Sequence, residues 1–319
     1  RHTRFRNVTG VQTCALPILD ALAVLERVRP AMPGEFTRRA FFNKKLDLVE
    51  AEGLSDLISA NTEHQRRQAL RVSTGEFSKE AQGWRNELIG VLALLTSELD
   101  FSEESDVIET GAVSAARSLM ILLRNSLIAA ARGSRRGEII RSGFVIVVLG
   151  PPNSGKSSLV NSLARRDLAI VSGEPGTTRD LIEVSLDIGG LQVVLVDTAG
   201  LRETFQEVEL EGIRRAKERA ERADLILWLS EGCCPVAPPN HLLGQQRYIG
   251  VASKADLVPE DHRISDLIWI STKTGEGIER LVREISDCAC NAIDPGEQSL
   301  VTRERHRLLI ERATQEIDE

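Results

Sequence analysis

"FVIVVLGPPNSGKSSLVNSLARR", residues 144–166, decides the fold. Its first six residues are a continuous apolar, β-branched run, as a strand buried on both faces should be. GPPNSGKS (150–157) fits G-x-x-x-x-G-K-[ST] and leads into the helical stretch SLVNSLARR. Strand, glycine loop and helix in that order are the context in which this motif cradles phosphates. Gly150 and Gly155 let the loop wrap an anion with its backbone N–H groups, and the helix N-terminus adds partial positive charge. Asn153, Ser154, Gly155, Lys156, Ser157 and Ser158 are therefore candidate nucleotide contacts. Lys156 would bridge the outer phosphates, and the Ser157 hydroxyl would face Mg2+.

Similar apolar runs occur at 191–197, 223–230, 247–253 and 267–271, most of them separated by helical stretches. Strands alternating with helices predict an α/β domain with a doubly wound, mostly parallel sheet over residues 143–290. Asp197 ends the strand LQVVLVD about forty residues past the loop, which suits a carboxylate holding Mg2+ through water. Thr198, Ala199 and Gly200 complete a D-x-x-G turn, in which the Gly200 N–H would meet the terminal phosphate. SKAD (253–256) succeeds a strand where a GTP-binding protein carries N-K-x-D. Asp256 would take two hydrogen bonds from the guanine edge, which adenine cannot give, and Lys254 would lie over the base. Ser253 stands where Asn ordinarily ties this loop to the phosphate loop, so guanine specificity is expected with reduced affinity. Ser271, Thr272 and Lys273 form the small loop that offers an N–H to the guanine carbonyl. In GTTRD (176–180), Thr178 is the candidate switch threonine, touching Mg2+ and the terminal phosphate only in the triphosphate state, with Thr177 as the alternative. Leu201 comes after Gly200 where the best-known switches place a Gln that orients water. Either the chain binds without hydrolysing, or it positions the water in another way.

Ahead of this domain the pattern is helical. Apolar residues recur at helical spacing over Leu46–Ala60, over Phe77–Leu99 and over Val113–Ala131. HQRRQALR (64–71) reads as a solvated helix face, and RGSRRGEIIR (132–141) as an exposed linker. GCCPVAPPNHLLGQQ (232–246) leaves room for a short crossover helix or none. A last helix begins after Leu300 and packs back on the first helices, so the α/β domain reads as an insertion in an all-α one. The first nineteen residues share no periodicity with the rest of the chain and read as a non-native leader.

The 319 residues are 42% hydrophobic and 27% charged, with a net charge of −7. That balance argues against gripping nucleic acid by bulk electrostatics. No run of 18 apolar residues interrupts the chain, so no membrane span is expected. The five cysteines, Cys14, Cys233, Cys234, Cys288 and Cys290, form no disulfide-like framework. They point to a reducing, cytoplasmic setting and read as free thiols.

PGEFTRRAFFNKKLDLVEAEGLSDLI (33–58), ELDFSEE (98–104), GPPNSGKSSLVN, GTTRD and DTAGLRET together resemble the MnmE (TrmE) family of bacterial and organellar tRNA-modifying GTPases. The resemblance runs from about residue 20 to the end. It implies a folate-binding domain, of which residues 20–43 are a remnant, then a helical domain in two parts (44–142 and 291–319) interrupted by a GTPase domain. It also implies K+ in place of an arginine finger, held by Asn153, Ser172, Glu174 and Thr177, and a water oriented by Glu209. Glu35 and Lys45 match folate-pocket positions for a tetrahydrofolate derivative. The partner implied is MnmG, with tRNA met through that complex and a homodimer formed through the GTPase domains. The reaction is addition of a carboxymethylaminomethyl group at carbon five of the wobble uridine. The family's C-terminal Cys-Ile-Gly-Lys has no counterpart, so GTPase activity is expected to survive better than tRNA modification. An Era- or Der-like ribosome-assembly GTPase and a GTP-binding fragment without turnover are the alternatives.

Overall fold

The computed structural model describes residues 17–18, 20–22, 24–25, 28–101, 111–165, 170, 182–197, 223–239, 247–293 and 299–319. Residues 1–51 form one compact unit and residues 52–319 another. In the first, Gly34 at φ 74° leads into helix α1 (Glu35–Phe42). Helix α2 (Leu48–Ser59) carries the chain into the second unit.

Helices α3 (Glu63–Ser73), α4 (Glu76–Phe101) and α5 (Ala112–Ser142) come next. Thr62 caps α3: its hydroxyl accepts the Gln65 N–H, and the Gln65 side chain accepts the Thr62 N–H. This reciprocal box satisfies two donors that a helix start leaves orphaned. HQRRQALR is therefore helical, but its two faces differ. Arg66 and Arg67 pair with Glu63 in solvent, while Gln65, Gln68, Ala69 and Val72 are buried. Residues 132–141 are not a linker. They complete α5, burying Ser134, Gly137, Ile139 and Ile140. A Cβ at Gly137 would lie 2.2 Å from the Val301 carbonyl oxygen, so the returning chain passes directly over the helix there. Arginines that suggested a linker are anchored: Arg135 pairs with Asp224 and the Arg141 guanidinium donates to the Thr302 carbonyl.

At Gly143 the chain leaves the helices and builds a six-stranded sheet. Its strands are β1 (Phe144–Leu149), β2 (Ile182–Ile188), β3 (Leu191–Asp197), β4 (Leu225–Glu231), β5 (Tyr248–Ser253) and β6 (Ile268–Trp269). The order is β2-β3-β1-β4-β5-β6, parallel except for β2, which runs antiparallel to β3. Strand β2 went unpredicted, although its alternating I-E-V-S-L-D-I and the Gly189-Gly190 turn are a hairpin signal. One face of the sheet packs under helices α6 (Lys156–Ala164) and α7 (Ile278–Ile293), through Leu159, Leu163, Ile278, Leu281 and Ile285. Val147, Leu149, Ile226 and Trp228 form a core on the other face.

Helix α8 (Glu304–Asp318) returns along α5, and Arg124 of α5 pairs with Asp318 at its end. The Phe77 ring stacks on His306 at 5.0 Å, and the Trp84 indole N–H donates to Ser126 Oγ at 3.0 Å, so α4, α5 and α8 form one bundle. Among the described residues α5 is the one helix long and apolar enough by composition to cross a membrane. Arginines at 117, 124, 132, 135 and 136 interrupt it, and its contacts with α3, α4 and α8 make it a bundle helix.

The bundle meets the sheet at the β2–β3 turn. His64 Nδ1 lies 2.8 Å from the Gly190 carbonyl oxygen, and the Gln65 amide donates to Gln192 Oε1 (2.5 Å) and to the Arg141 carbonyl (3.1 Å). Gly190 has φ 84°, and a Cβ there would come within 2.9 Å of His64 Nδ1. We expect Gly190→Ala to cost about 1–3 kcal/mol of stability in urea unfolding, from a left-handed non-glycine residue plus the lost fit. Adding His64→Ala should recover only the part due to contact.

Candidate functional site

Parallel strands deliver their carbonyl ends to one edge, and the predicted motifs collect there. Strand β1 stops at Leu149. Gly150 then turns at φ 151°, where a Cβ would sit 1.9 Å from the Leu229 carbonyl oxygen of β4. No other residue fits without moving β4. Gly155, at φ 92°, caps α6, and its carbonyl takes the Leu159 N–H at 2.9 Å. The first amides of α6 have no partner within the helix and face outward as a seat for an anion. Asn153 takes a left-handed φ of 61° and is exposed, as are Ser157 and Ser158, whereas Ser154 is buried. The Lys156 ammonium donates to the carbonyls of Gly150 (2.9 Å) and Pro151 (2.8 Å), folded over its own loop. Asp197 is the last residue of β3 and pairs in register with Val148 of β1, which sets its backbone beside the loop.

The base loops sit at the ends of β5 and β6. The Ser271 hydroxyl donates to Asp256 Oδ1 at 2.7 Å and accepts the N–H groups of Lys273 (3.3 Å) and Thr274 (3.2 Å). That bond, chiefly, holds the Asp256 carboxyl below its ordinary pKa, and Lys273 adds to the effect. The Ala255 N–H donates to the Ile270 carbonyl at 3.0 Å, locking the two loops together. Lys254 stands at φ 57°, with its ammonium on Glu231 Oε1 at 2.5 Å. The pair raises the Lys254 pKa and lowers that of Glu231. Sequence reading did not single out Glu231, and its position at the end of β4 was the one available signal. The turn beyond it is tight: the Gly232 N–H donates to the Ser253 carbonyl at 2.9 Å, and a Cβ on Gly232 would meet that oxygen at 2.7 Å.

Ser172, Glu174, Thr177, Thr178, Thr198, Ala199, Gly200 and Glu209 lie outside the described residues, as does the Asp197 side chain. Within the first unit, Glu35 is engaged by Arg29 through two bonds (2.6 and 2.8 Å) and by the Met32 N–H at 2.7 Å. The Arg29 bond leads in lowering its pKa to about 2. Lys45 is exposed, and its N–H donates to the Ala40 carbonyl. A cavity of about 270 Å³ lies elsewhere, lined by Asp56, Gln65, Gln68, Arg141, Gln192 and Thr302. Gln192 is at the opposite end of β3 from Asp197, so this cavity is not the phosphate seat.

A model of the MnmE helical domain matches residues 48–319. The "tRNA modification GTPase MnmE" of Beijerinckia indica is 49% identical over 98% of this chain and 68% of its own length. The chain belongs to the MnmE family. The proteins of the same name from Azorhizobium caulinodans and Rhodopseudomonas palustris are 47% and 44% identical, over 98% and 95% of this chain and 72% and 69% of their own. At 98% of the chain, the match to the first two MnmE proteins reaches into residues 1–19. Among solved structures, Era from Aquifex aeolicus is 24% identical over 45% of this chain and 56% of its own, with a TM-score of 0.36.

The Ser271–Asp256 bond yields a pH prediction for this MnmE-family chain. A lowered pKa keeps Asp256 ionised, and so purely an acceptor, to lower pH. Ser271→Ala raises that pKa. The acid limb of GDP binding, tracked by fluorescence titration from pH 6 down to pH 4, should then move to higher pH.

Proposed function

We propose that this chain hydrolyses GTP at the edge formed by 150–158, Asp197, 253–256 and 271–273, in the service of tRNA wobble-uridine modification in the cytoplasm. One observation carries the proposal: a glycine-gated phosphate loop and a serine-braced aspartate stand at the carbonyl ends of strands in one parallel sheet. The loop is specific to phosphates and the aspartate to a guanine edge. The MnmE relatives support the assignment to tRNA modification.

The residues divide the work between phosphates, base and cations. Loop amides 153–158 and the N-terminus of α6 hold the phosphates. Lys156 leaves its own carbonyls to bridge the outer phosphates, and Lys254 leaves Glu231 to cover the base. Asp256 accepts from the guanine N1 and 2-amino groups, a paired contact whose loss rejects adenine strongly. Ser157 and Asp197 suit Mg2+, since both offer oxygen and the β1–β3 register brings them to the same edge. Thr178 would add a third oxygen and Gly200 an N–H to the terminal phosphate in the triphosphate state. Bound cations there neutralise charge that develops between the outer phosphates.

Asn153 supports the reading that K+ is one of those cations: it is exposed, in a left-handed turn, on the phosphate loop. Ser172, Glu174 and Thr177 would complete the K+ site. Glu209 answers the missing Gln after Gly200. A carboxylate twelve residues past Asp197 can orient the water that Leu201 cannot. MnmG as partner, pairing of GTPase domains across the nucleotide, and a folate role for Glu35 and Lys45 belong to this reading. Glu35 would have to exchange Arg29 for the ligand.

The deciding measurement is GTP turnover in KCl and in NaCl at equal ionic strength. We expect clear stimulation by K+, and a fall in kcat of about 10²-fold or more for Glu209→Ala, with GDP affinity kept. Equal slow rates in both salts with GTP still bound would leave a binding protein without the cation-assisted step. Asp256→Asn should invert the base preference. An amide donates to the 2-carbonyl of xanthine where the carboxylate accepted from guanine, so XTP should compete better than GTP.

A further inference from the structure

Ser253 closes β5 with 5% of its surface exposed, and its hydroxyl has no hydrogen-bond partner among the described residues. The same is true of Ser154 in the phosphate loop, at 1% exposure. These are the two buried side-chain oxygens so placed among the described residues, and Gly155 follows Ser154 in the chain. A Cβ on Gly155 would lie 3.8 Å from both Cβ and Oγ of Ser253, so Ser253 faces the phosphate loop across a gap that one added carbon would bring to contact. Ser154 precedes that glycine, and its hydroxyl tucks under the loop, 3.1 Å from where a Cβ on Gly150 would be.

Buried hydroxyls without partners are rare and unfavourable, and each can both donate and accept. Two of them on neighbouring loops are a matched donor and acceptor. The side chain of Ser253 is too short to reach the phosphate loop as an Asn amide would. A second hydroxyl on the phosphate loop supplies the missing length.

We propose that Ser253 is a positioning residue for nucleotide, and that its hydroxyl and that of Ser154 join, directly or through one water, when phosphate draws the loop closed. The base loop is then tied to the phosphate loop only in the occupied state. That bond relieves the unfavourable burial of both hydroxyls. This inference rests on reading the edge as a guanine-nucleotide site.

The test uses the full chain and fluorescently labelled GDP. Ser253→Ala and Ser154→Ala should each weaken GDP binding by about 10-fold, mostly through faster release, the effect of one buried hydrogen bond. The double variant should be no weaker than the worse single, because both remove the same bond. IDP should lose affinity by the same factor as GDP, because the tie does not read the 2-amino group. The melting temperature of the empty protein should hold or rise in both single variants, opposite in sign to the affinity. Ser253→Asn should bind GDP at least as tightly as the parent, since its amide reaches the loop alone. A Ser253→Ala change that lowers melting temperature and affinity together, that leaves GDP affinity within about twofold, or whose effect multiplies with that of Ser154→Ala overturns the proposal. Failure of the parent chain to bind GDP at all overturns the nucleotide-site reading itself.

Discussion

The arrangement depends on one steric constraint, the contact between Gly150 and the Leu229 carbonyl. Strand β1 lies between β3 and β4, parallel to both, and must leave the sheet at its carbonyl end. A side chain at residue 150 would collide with the β4 backbone, so glycine there is what allows the loop to turn over the strand end and feed α6. Once β1 is fixed in that register, the neighbouring strands are obliged to end beside it. Asp197 on one side and Ser253 and Ser271 on the other then face a common edge. The site is a consequence of sheet register, with the side chains added at predetermined stations.

The opposite end of the same hairpin serves the bundle. Gly190 and Gln192 are held by the first turn of α3, and Gln65 performs two tasks there. Its oxygen caps its own helix, and its nitrogen reaches across to β3 and to the end of α5. Five residue steps of strand separate Gln192 from Asp197, roughly 16 Å of stiff, paired backbone. The β2–β3 hairpin therefore touches the bundle with its tip and the edge that carries the phosphate-loop motif with its base. The start of a capped helix and the twist of a two-glycine turn meet at a single carbonyl, that of Gly190.

Much of this was legible from residues alone, for reasons that differ by element. The phosphate loop was, because strand, glycines and helix must occur in that order to make the turn. The five parallel-side strands were, because burial on both faces leaves uninterrupted apolar runs. Strand β2 was not picked out because, at the edge of the sheet, it alternates and lacks the uninterrupted apolar run that marked the others, although that alternation before Gly189-Gly190 is a hairpin signal. Residues 132–141 misled because four arginines and two glycines outweighed the Ile139–Ile140 pair; Arg135 and Arg141 find Asp224 and the Thr302 carbonyl, partners far away in sequence. The brace of Ser271 on Asp256 and the approach of Gly155 to Ser253 join residues of different loops. No periodicity encodes such contacts.

The two lysines of this edge are each held by partners within the chain. Lys156 rests on carbonyls of its own loop and Lys254 on Glu231, so neither charge relies on water alone. A phosphate chain offers Lys156 stronger acceptors than two neutral carbonyls, and charge-assisted bonds of that kind are roughly twice as strong as neutral ones. For Lys254 the exchange runs the other way, from a carboxylate to the face of a base. On the proposed nucleotide reading, binding would break an ion pair at the base loop and form a new one at the phosphates. On that reading the asymmetry would place most of the driving force at the phosphate end and leave discrimination to Asp256. The proposed tie between the two loops would then have a physical use: forming only when phosphates are seated, it would carry part of their binding energy to the loop 253–256, where the local exchange of partners is unfavourable.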